Sequence, residues 1–246
     1  MASPDVVLLR SPDDPDPYLQ AFDAAGLEAV CEPVLRFTFP AQEALCTHLR
    51  TAAEEVALIA TSPRVGRALH QAFRHAPELR ARWRGRTVYV VGPKTGRWMR
   101  KLGLEVRGEE AGTAAALAHR IIEDGPDAPL LFLSGNRRRD TLPDALREAG
   151  LAFEEQVVYE THARSTLDLP APDAQPWLVV FSPSGLEALR AAEVPLDAYR
   201  VATIGPTTAT SLRDAGVTVK AVAAEPTPDA LVEAVLDADS RRSEER

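Results

Sequence analysis

Short apolar, β-branched runs alternate along this chain with segments of helical period, the arrangement of an α/β protein. Strands are predicted at Val6–Leu9, Val56–Ala60, Thr87–Val91, Leu130–Leu133, Leu178–Phe181 and Val201–Ile204. Helices follow most of them. Pro17–Ala25 runs into Gly26 and Thr141–Ala149 into Gly150, where glycine takes up the left-handed conformation that closes a helix.

These pieces recur. VVLLRSPDDPDPYLQAFDAAGLEAV near the start returns as PLLFLSGNRRRDTLPDALREAGLAFE, which maps Gly26 onto Gly150. LIATSPRVGRAL returns as LVVFSPSGLEAL, with Ser62 on Ser182. VYVVGPKTGRWMRKLGLEV returns as RVATIGPTTATSLRDAGVTV, with Gly92 on Gly205, and the next helices start at the predicted N-caps Thr113 and Thr227. An offset near half the chain means a duplicated architecture in the order A, B, A′, B′, and not a solenoid of short repeats.

After each A unit comes an alternating extended stretch, Pro33–Phe39 and then Gln156–Thr161. Paired, they would form a two-stranded bridge, with A and B′ in one lobe and B and A′ in the other. An A-B and A′-B′ division fits the pattern as well. Leu167–Pro176, with three prolines, reads as a linker, and the charged tail from Ala238 is expected to fray.

At 246 residues there is chain enough for two domains, and 45% hydrophobic with 26% charged residues is ordinary for a globular protein. Apolar runs stay short of a membrane span, and Met1–Asp5 lacks the features of a signal peptide, so a cytoplasmic protein is expected. Cys31 and Cys46 have neither disulfide-framework nor zinc-site spacing and read as reduced packing residues. The net charge of −8 argues against nucleic-acid and acidic-membrane partners. A polyanionic ligand would therefore have to be held by local positive features.

Such features gather at the strand-to-helix turns, where open α/β sheets bind ligands. Thr61-Ser62-Pro63 and Ser182-Pro183-Ser184 put a hydroxyl before a proline, while Gly92-Pro93 and Gly205-Pro206 use a glycine turn. Each helix start offers free N–H groups and a positive dipole end to a carboxylate. The hydroxyls of Ser62, Thr95, Ser182, Ser184, Thr207 and Thr208 add donors. Plain helix capping explains any one such turn; four in corresponding places make binding an equal contender. Arg64, Lys94 and the run Arg137-Arg138-Arg139 lie at the same kind of turn, and arginine's planar fork suits carboxylates. With Gly135 and Asn136 of the same turn, Arg64, Lys94 and Arg138 complete the candidate binding set. Tyr159 ends the second extended stretch. Its phenol can hydrogen-bond a leaving hydroxyl, or simply pack one face of an amphipathic strand.

Familiar cofactor motifs are missing. The sequence has no G-x-G-x-x-G, no P-loop, no H-x-x-x-H, no Cys-His metal set and no G-x-S-x-G elbow, so no cofactor and no metal are expected.

Taken in order, LIATSPR, VYVVGPKT, LLFLSGNRRRDTLPDAL, VVYETH, VVFSPSG, ATIGPTTATSLRDAGV and EPTPDAL resemble the uroporphyrinogen-III synthase family along nearly the whole chain, in its animal-type rather than divergent bacterial form. FSPSG and IGPTTA are the most specific blocks. The resemblance implies two Rossmann- or flavodoxin-like α/β lobes with parallel sheets, joined by a two-stranded ladder, with an active site in the cleft. The lobes would be 1–32 with 168–246, and 40–155; residues 33–39 and 156–167 would form the ladder.

It implies hydroxymethylbilane as substrate, a polycarboxylate tetrapyrrole closed into uroporphyrinogen III with loss of water. The last pyrrole is inverted through a spiro intermediate, and no cofactor takes part. Carried over by position, Tyr159 matches the tyrosine that assists hydroxide departure. Thr95 and Thr208 match threonines near the cleft, and Ser62, Ser182 and Ser184 lie in the matching serine-proline turns. Pro93-Lys94 departs from the Asn-Ala of many relatives, which leaves the role of Lys94 open. A monomer is expected. The competing readings are a cofactor-free two-lobed binding module for a small polyanion and an inactive regulatory relative, in which the tyrosine and paired threonines would be free to vary.

Overall fold

The computed structural model describes residues 3–244. The chain divides into two compact units, Met1–Arg36 with His162–Arg246, and Phe37–Thr161. In the opening segment β1 (Val6–Leu9) leads through α1 (Pro17–Ala24) to β2 (Ala29–Cys31), and β3 (Leu35–Thr38) carries the chain into the second unit. There follow α2 (Gln42–Thr51), β4 (Ala57–Ala60), α3 (Pro63–His75), α4 (Pro77–Trp83), β5 (Thr87–Val90) and α5 (Pro93–Leu102). Next come β6 (Glu105–Arg107), α6 (Ala114–Asp124), β7 (Leu130–Gly135) and α7 (Thr141–Glu148), and β8 (Phe153–Ala163) returns the chain to the first unit. The closing segment holds β9 (Trp177–Val180), α8 (Pro183–Ala191), β10 (Arg200–Thr203), α9 (Pro206–Asp214), β11 (Val219–Val222) and α10 (Pro228–Glu244).

The first unit has a five-stranded sheet in the order β11-β10-β9-β1-β2, with Val6 opposite Trp177, so A and B′ share it. The second has a six-stranded sheet in the order β3-β8-β7-β4-β5-β6, with Ala57 opposite Leu130, so B and A′ share that one. β1, β4, β7 and β9 are buried at every residue, as parallel strands covered on both faces must be.

In the second unit α3 and α5 cover one face, where Val65, Leu69 and Met99 meet Leu58, Leu131 and Leu133. α6 and α7 cover the other, where Leu117, Ile121 and Leu146 meet Ile59, Leu130 and Phe132. In the first unit α8 and α9 take one face through Leu189 and Leu212, and α1 and α10 the other through Phe22, Leu231 and Val235. Each of these fully buried side chains contributes about 1.5–3 kcal/mol.

The duplication extends to the helix ends. Gly26 and Gly150 have φ of +77° and +72°, and the next residue donates back over the turn, Leu27 N to Phe22 O and Leu151 N to Leu146 O, both at 3.0 Å. Gly103 and Gly216 repeat the device in B and B′. Thr113 and Thr227 cap α6 and α10, accepting from Ala116 N at 3.1 Å and Ala230 N at 3.4 Å.

Two expectations are corrected. The tail from Ala238 is helical within the described residues: α10 runs to Glu244, with Asp239 held by Arg200 and by Trp177 Nε1 and Arg242 donating to Gln175, while residues 245–246 of the expected frayed end lie outside the described residues. The second extended stretch is longer than Gln156–Thr161, since β8 pairs with β7 from Leu130 to Gly135 and continues to Ala163. Among the described residues no helix is long and apolar enough to cross a membrane.

Candidate functional site

β4 and β7 are neighbours, yet the chain leaves β4 for the α3 face of the sheet and β7 for the opposite, α7 face. Their carboxyl ends therefore flank the topological switch point, where a crevice opens in α/β sheets. After β4, Ser62 is extended and its Oγ accepts from Arg64 N at 3.3 Å, with Pro63 on the first helical position. Arg64 lies half-buried with its guanidinium carbon 3.7 Å from the centroid of the Phe37 ring. Burial pushes its pKa down, and the neighbouring Tyr159 partly offsets this by favouring the cation.

Tyr159 reaches this cluster through a register shift. Ser134 pairs with Val157 but Gly135 with Tyr159, so β8 carries one extra residue, Val158. Simple alternation from Gln156 would place Val158 and Tyr159 on opposite faces. The bulge puts both on the α3 face, where Tyr159 packs in the core and is 9% exposed. Its ring lies directly on Gly135: a Cβ there would stand 2.3 Å from the Tyr159 Cζ.

Asn136 then fastens β8 to the turn. Its backbone N donates to Tyr159 O at 3.2 Å, its Oδ1 accepts from Thr161 N at 2.8 Å, and its Nδ2 donates to Thr161 O at 3.4 Å. Arg138 faces carboxylates of its own chain, with Nη2 2.7 Å from Glu155 Oε2 and further contact to Asp140. Burial, the largest single influence, resists ionisation of Glu155, but the bonds from Arg138 and Ser134 and the charges of Arg138 and Arg147 together prevail and hold the carboxyl below its ordinary range. Gly135, Asn136, Arg138, Glu155 and Val157 line a small cavity of about 390 Å³.

The glycine turn after β5 starts α5. Gly92, at φ +79° and ψ 159°, has a backbone that only glycine adopts without strain. Lys94 is exposed, while Thr95 is buried at 2% exposure.

The first unit repeats the geometry around β1 and β9, also neighbours whose following helices take opposite faces. Ser182 stands at the N-cap of α8 but does not cap it. Its Oγ is 2.7 Å from Ser184 Oγ instead, which corrects the expected side-chain cap. Thr207 is exposed and Thr208 buried, the same pairing as Lys94 and Thr95 one repeat earlier.

The candidates therefore fall in two sets, each at the carboxyl ends of one sheet. Ser62, Arg64, Lys94, Thr95, Gly135, Asn136, Arg138 and Tyr159 belong to the second unit, and Ser182, Ser184, Thr207 and Thr208 to the first. Sequence reasoning missed Phe37, whose place in an alternating strand was the available signal. It also missed Arg10, a basic residue directly after β1, which met the same turn criterion as Arg64. Arg10 is held by Asp13 at 2.6 Å and Asp16 at 3.0 Å and lies over the rings of Tyr18 and Phe181. Among the described residues no group of three or more His, Cys, Asp or Glu is placed to hold a metal ion.

The family model for uroporphyrinogen-III synthase HemD matches residues 16–233. The uroporphyrinogen-III synthase of Saccharomyces cerevisiae is 35% identical over 205 residues, 72% of this chain and 74% of that protein. The Schizosaccharomyces pombe enzyme is 29% identical over 96% of this chain and 98% of its own length. Among solved structures, the Helicobacter pylori uroporphyrinogen-III synthetase superposes with a TM-score of 0.60 at 19% identity, covering 95% of this chain and 99% of that one. A mutant Thermus thermophilus enzyme gives 0.50 at 16% identity, covering 96% and 99%. The two structural likenesses bear on the fold. With most of its length matched by the family model and a yeast relative above 30% identity, the chain belongs to the uroporphyrinogen-III synthase family.

Proposed function

We propose that this chain cyclises hydroxymethylbilane to uroporphyrinogen III, acting as a monomer in the cytoplasm without cofactor, nucleic-acid or membrane partner. The observation that carries the reading is the seating of Tyr159 on Gly135, beside the half-buried cation Arg64, at the switch point of the second sheet. The Tyr159 phenol donates a hydrogen bond to the terminal hydroxyl of the substrate as it departs. With a proton that hydroxyl leaves as water, and the terminal pyrrole becomes an electrophilic azafulvene. The substituted carbon of the last ring attacks it to form the spiro intermediate, which fragments and recloses with that ring inverted.

The protein's larger task is conformational. Bringing the two ends of a flexible chain together makes ring closure a favoured intramolecular step. Arg64, Lys94 and the start of α5 offer charge and N–H groups to the substrate's acetates and propionates. In the first unit the N–H groups of α8 and α9, with Ser182, Ser184, Thr207 and Thr208, offer the same chemistry. Arg138 and Asn136 act as positioning residues, since their polar groups already engage Glu155 and the backbone of β8.

The test is a coupled assay in which purified protein receives hydroxymethylbilane and the porphyrin isomers are separated after oxidation. Type III product above the spontaneous type I background, with no added metal or cofactor, is the expected result. Type I alone from folded protein overturns the reading.

A further inference from the structure

Each sheet also has an amino-terminal edge, at the opposite ends of its strands from the turns described above, and each edge carries a cavity. In the second unit it measures about 690 Å³ and lies at the starts of β4 and β5, beside β6 and the end of α6. Four arginines there face four carboxylates, among them Arg107 and Asp124, 3.6 Å apart. Tyr89 closes the network by donating to Asp124 at 3.0 Å. That cavity is balanced in charge.

The first unit has its counterpart, about 600 Å³, at the starts of β9 and β10, beside β11 and the end of α10. Lys220 aligns with Arg107 in sequence, at the same offset that relates Gly92 to Gly205. Among the described residues the balance fails: Arg200, Lys220, Arg241 and Arg242 line the cavity with only Asp197 and Asp239. Asp239 is engaged by Arg200 and by Trp177 Nε1 at 3.3 Å. Arg200 is fixed in turn, 4.7 Å from the Trp177 ring centroid and donating through Nε to Gln175 O at 2.5 Å. Among the described residues, Lys220 and Arg241 meet no carboxylate.

We propose that this cavity binds a small multivalent oxyanion. Among the described lining residues an excess of two positive charges, in a chain whose net charge is −8, is what a dianion or trianion would neutralise. The volume falls in the range of small-ligand sites, about 300–1,000 Å³. Trp177 and Tyr199 supply a wall against which the Arg200 fork is already held, and Lys220 adds a point charge from the neighbouring strand. The ligand would join β11 to the last turns of α10. Polyphosphates and polycarboxylates share the required chemistry, and the site stands independently of the reading given to Tyr159.

The experiment is calorimetric titration of the full chain at constant ionic strength, with inorganic pyrophosphate in one arm and citrate in the other. Saturable binding of one anion per chain is expected, weakened at least tenfold by Lys220→Ala with Arg241→Ala and unchanged by Arg64→Ala. Both mutated side chains are exposed, so the double variant keeps its fold, which circular dichroism checks. The tighter of the two anions identifies phosphate or carboxylate as the natural class. Pyrophosphate should raise the melting temperature of the wild type and not of the double variant. Absence of saturable heat in both arms, undiminished binding in the double variant, or loss of binding in Arg64→Ala overturns the proposal.

Discussion

The guanidinium carbon of Arg64 lies over the ring of Phe37, 3.7 Å from its centroid, so that β3 holds the cation presented by α3. One face of the fork is packed and its N–H edges remain for a ligand; among the described residues no carboxylate meets it. Replacing Phe37 by Leu removes a cation–π contact of about 0.5–2 kcal/mol. KM should rise about 2- to 30-fold with kcat little changed, and Phe37→Tyr should restore it. A fall in melting temperature without a change in KM would assign Phe37 to packing alone.

Tyr159→Phe keeps the ring on Gly135 and removes only the hydroxyl. Turnover should fall about 100-fold or more with the melting temperature held, because a positioned proton donor contributes on the order of 10²–10⁴. Gly135→Ala should lower turnover too, since a Cβ at 2.3 Å must displace the ring. Steady-state rates of type III product decide both, and wild-type turnover in Tyr159→Phe would refute the proposed role.

Gly92 and Gly205 are repeat equivalents with different constraints. Gly92→Ala should cost about 1–3 kcal/mol, because φ +79° with ψ 159° strains any side-chain-bearing residue. Gly205 is extended at φ 173° and a Cβ there meets nothing within 4 Å, so Gly205→Ala should leave stability nearly unchanged. Urea midpoints of the two variants make the comparison.

Much of this architecture was legible because it is written locally. Apolar runs mark buried parallel strands, and glycines at matching offsets mark helix ends. The site was legible only in part. The switch-point turns announce themselves through Ser-Pro and Gly-Pro, but the bulge that turns Tyr159 onto the α3 face depends on its pairing with Gly135, twenty-four residues away in sequence. Ser182 shows the same limit. It has the sequence of a helix cap, and its hydroxyl is taken by Ser184. Phe37 gains its role only when Arg64 is brought over it.

Asp16 gives a test by pH. Burial works against its ionisation, but N–H groups from Asp13, Leu19 and Tyr18 and the charge of Arg10 prevail, and its carboxyl sits below the ordinary value. A folded pKa below the unfolded one, about 3.9, means stability fully present above that value and lost as pH falls through the folded pKa. Asp16→Asn should therefore destabilise by about 1–2 kcal/mol at pH 7, with the gap to wild type closing below about pH 4. Melting curves across that range would show it; a gap independent of pH would mean that the charge contributes nothing.

The order in which the strands are made bears on how the protein is born. In the finished sheet β1 lies between β2 and β9, and Val6 pairs with Trp177. Emerging from a ribosome at about 5–20 residues per second, β1 waits on the order of 10–30 s for that partner, while all of Phe37–Thr161 is synthesised in between. The inserted unit can fold during the interval, but β1 keeps one apolar edge unpaired throughout. Slow synthesis or a pause before β9 is then the point at which the nascent chain is most exposed to aggregation.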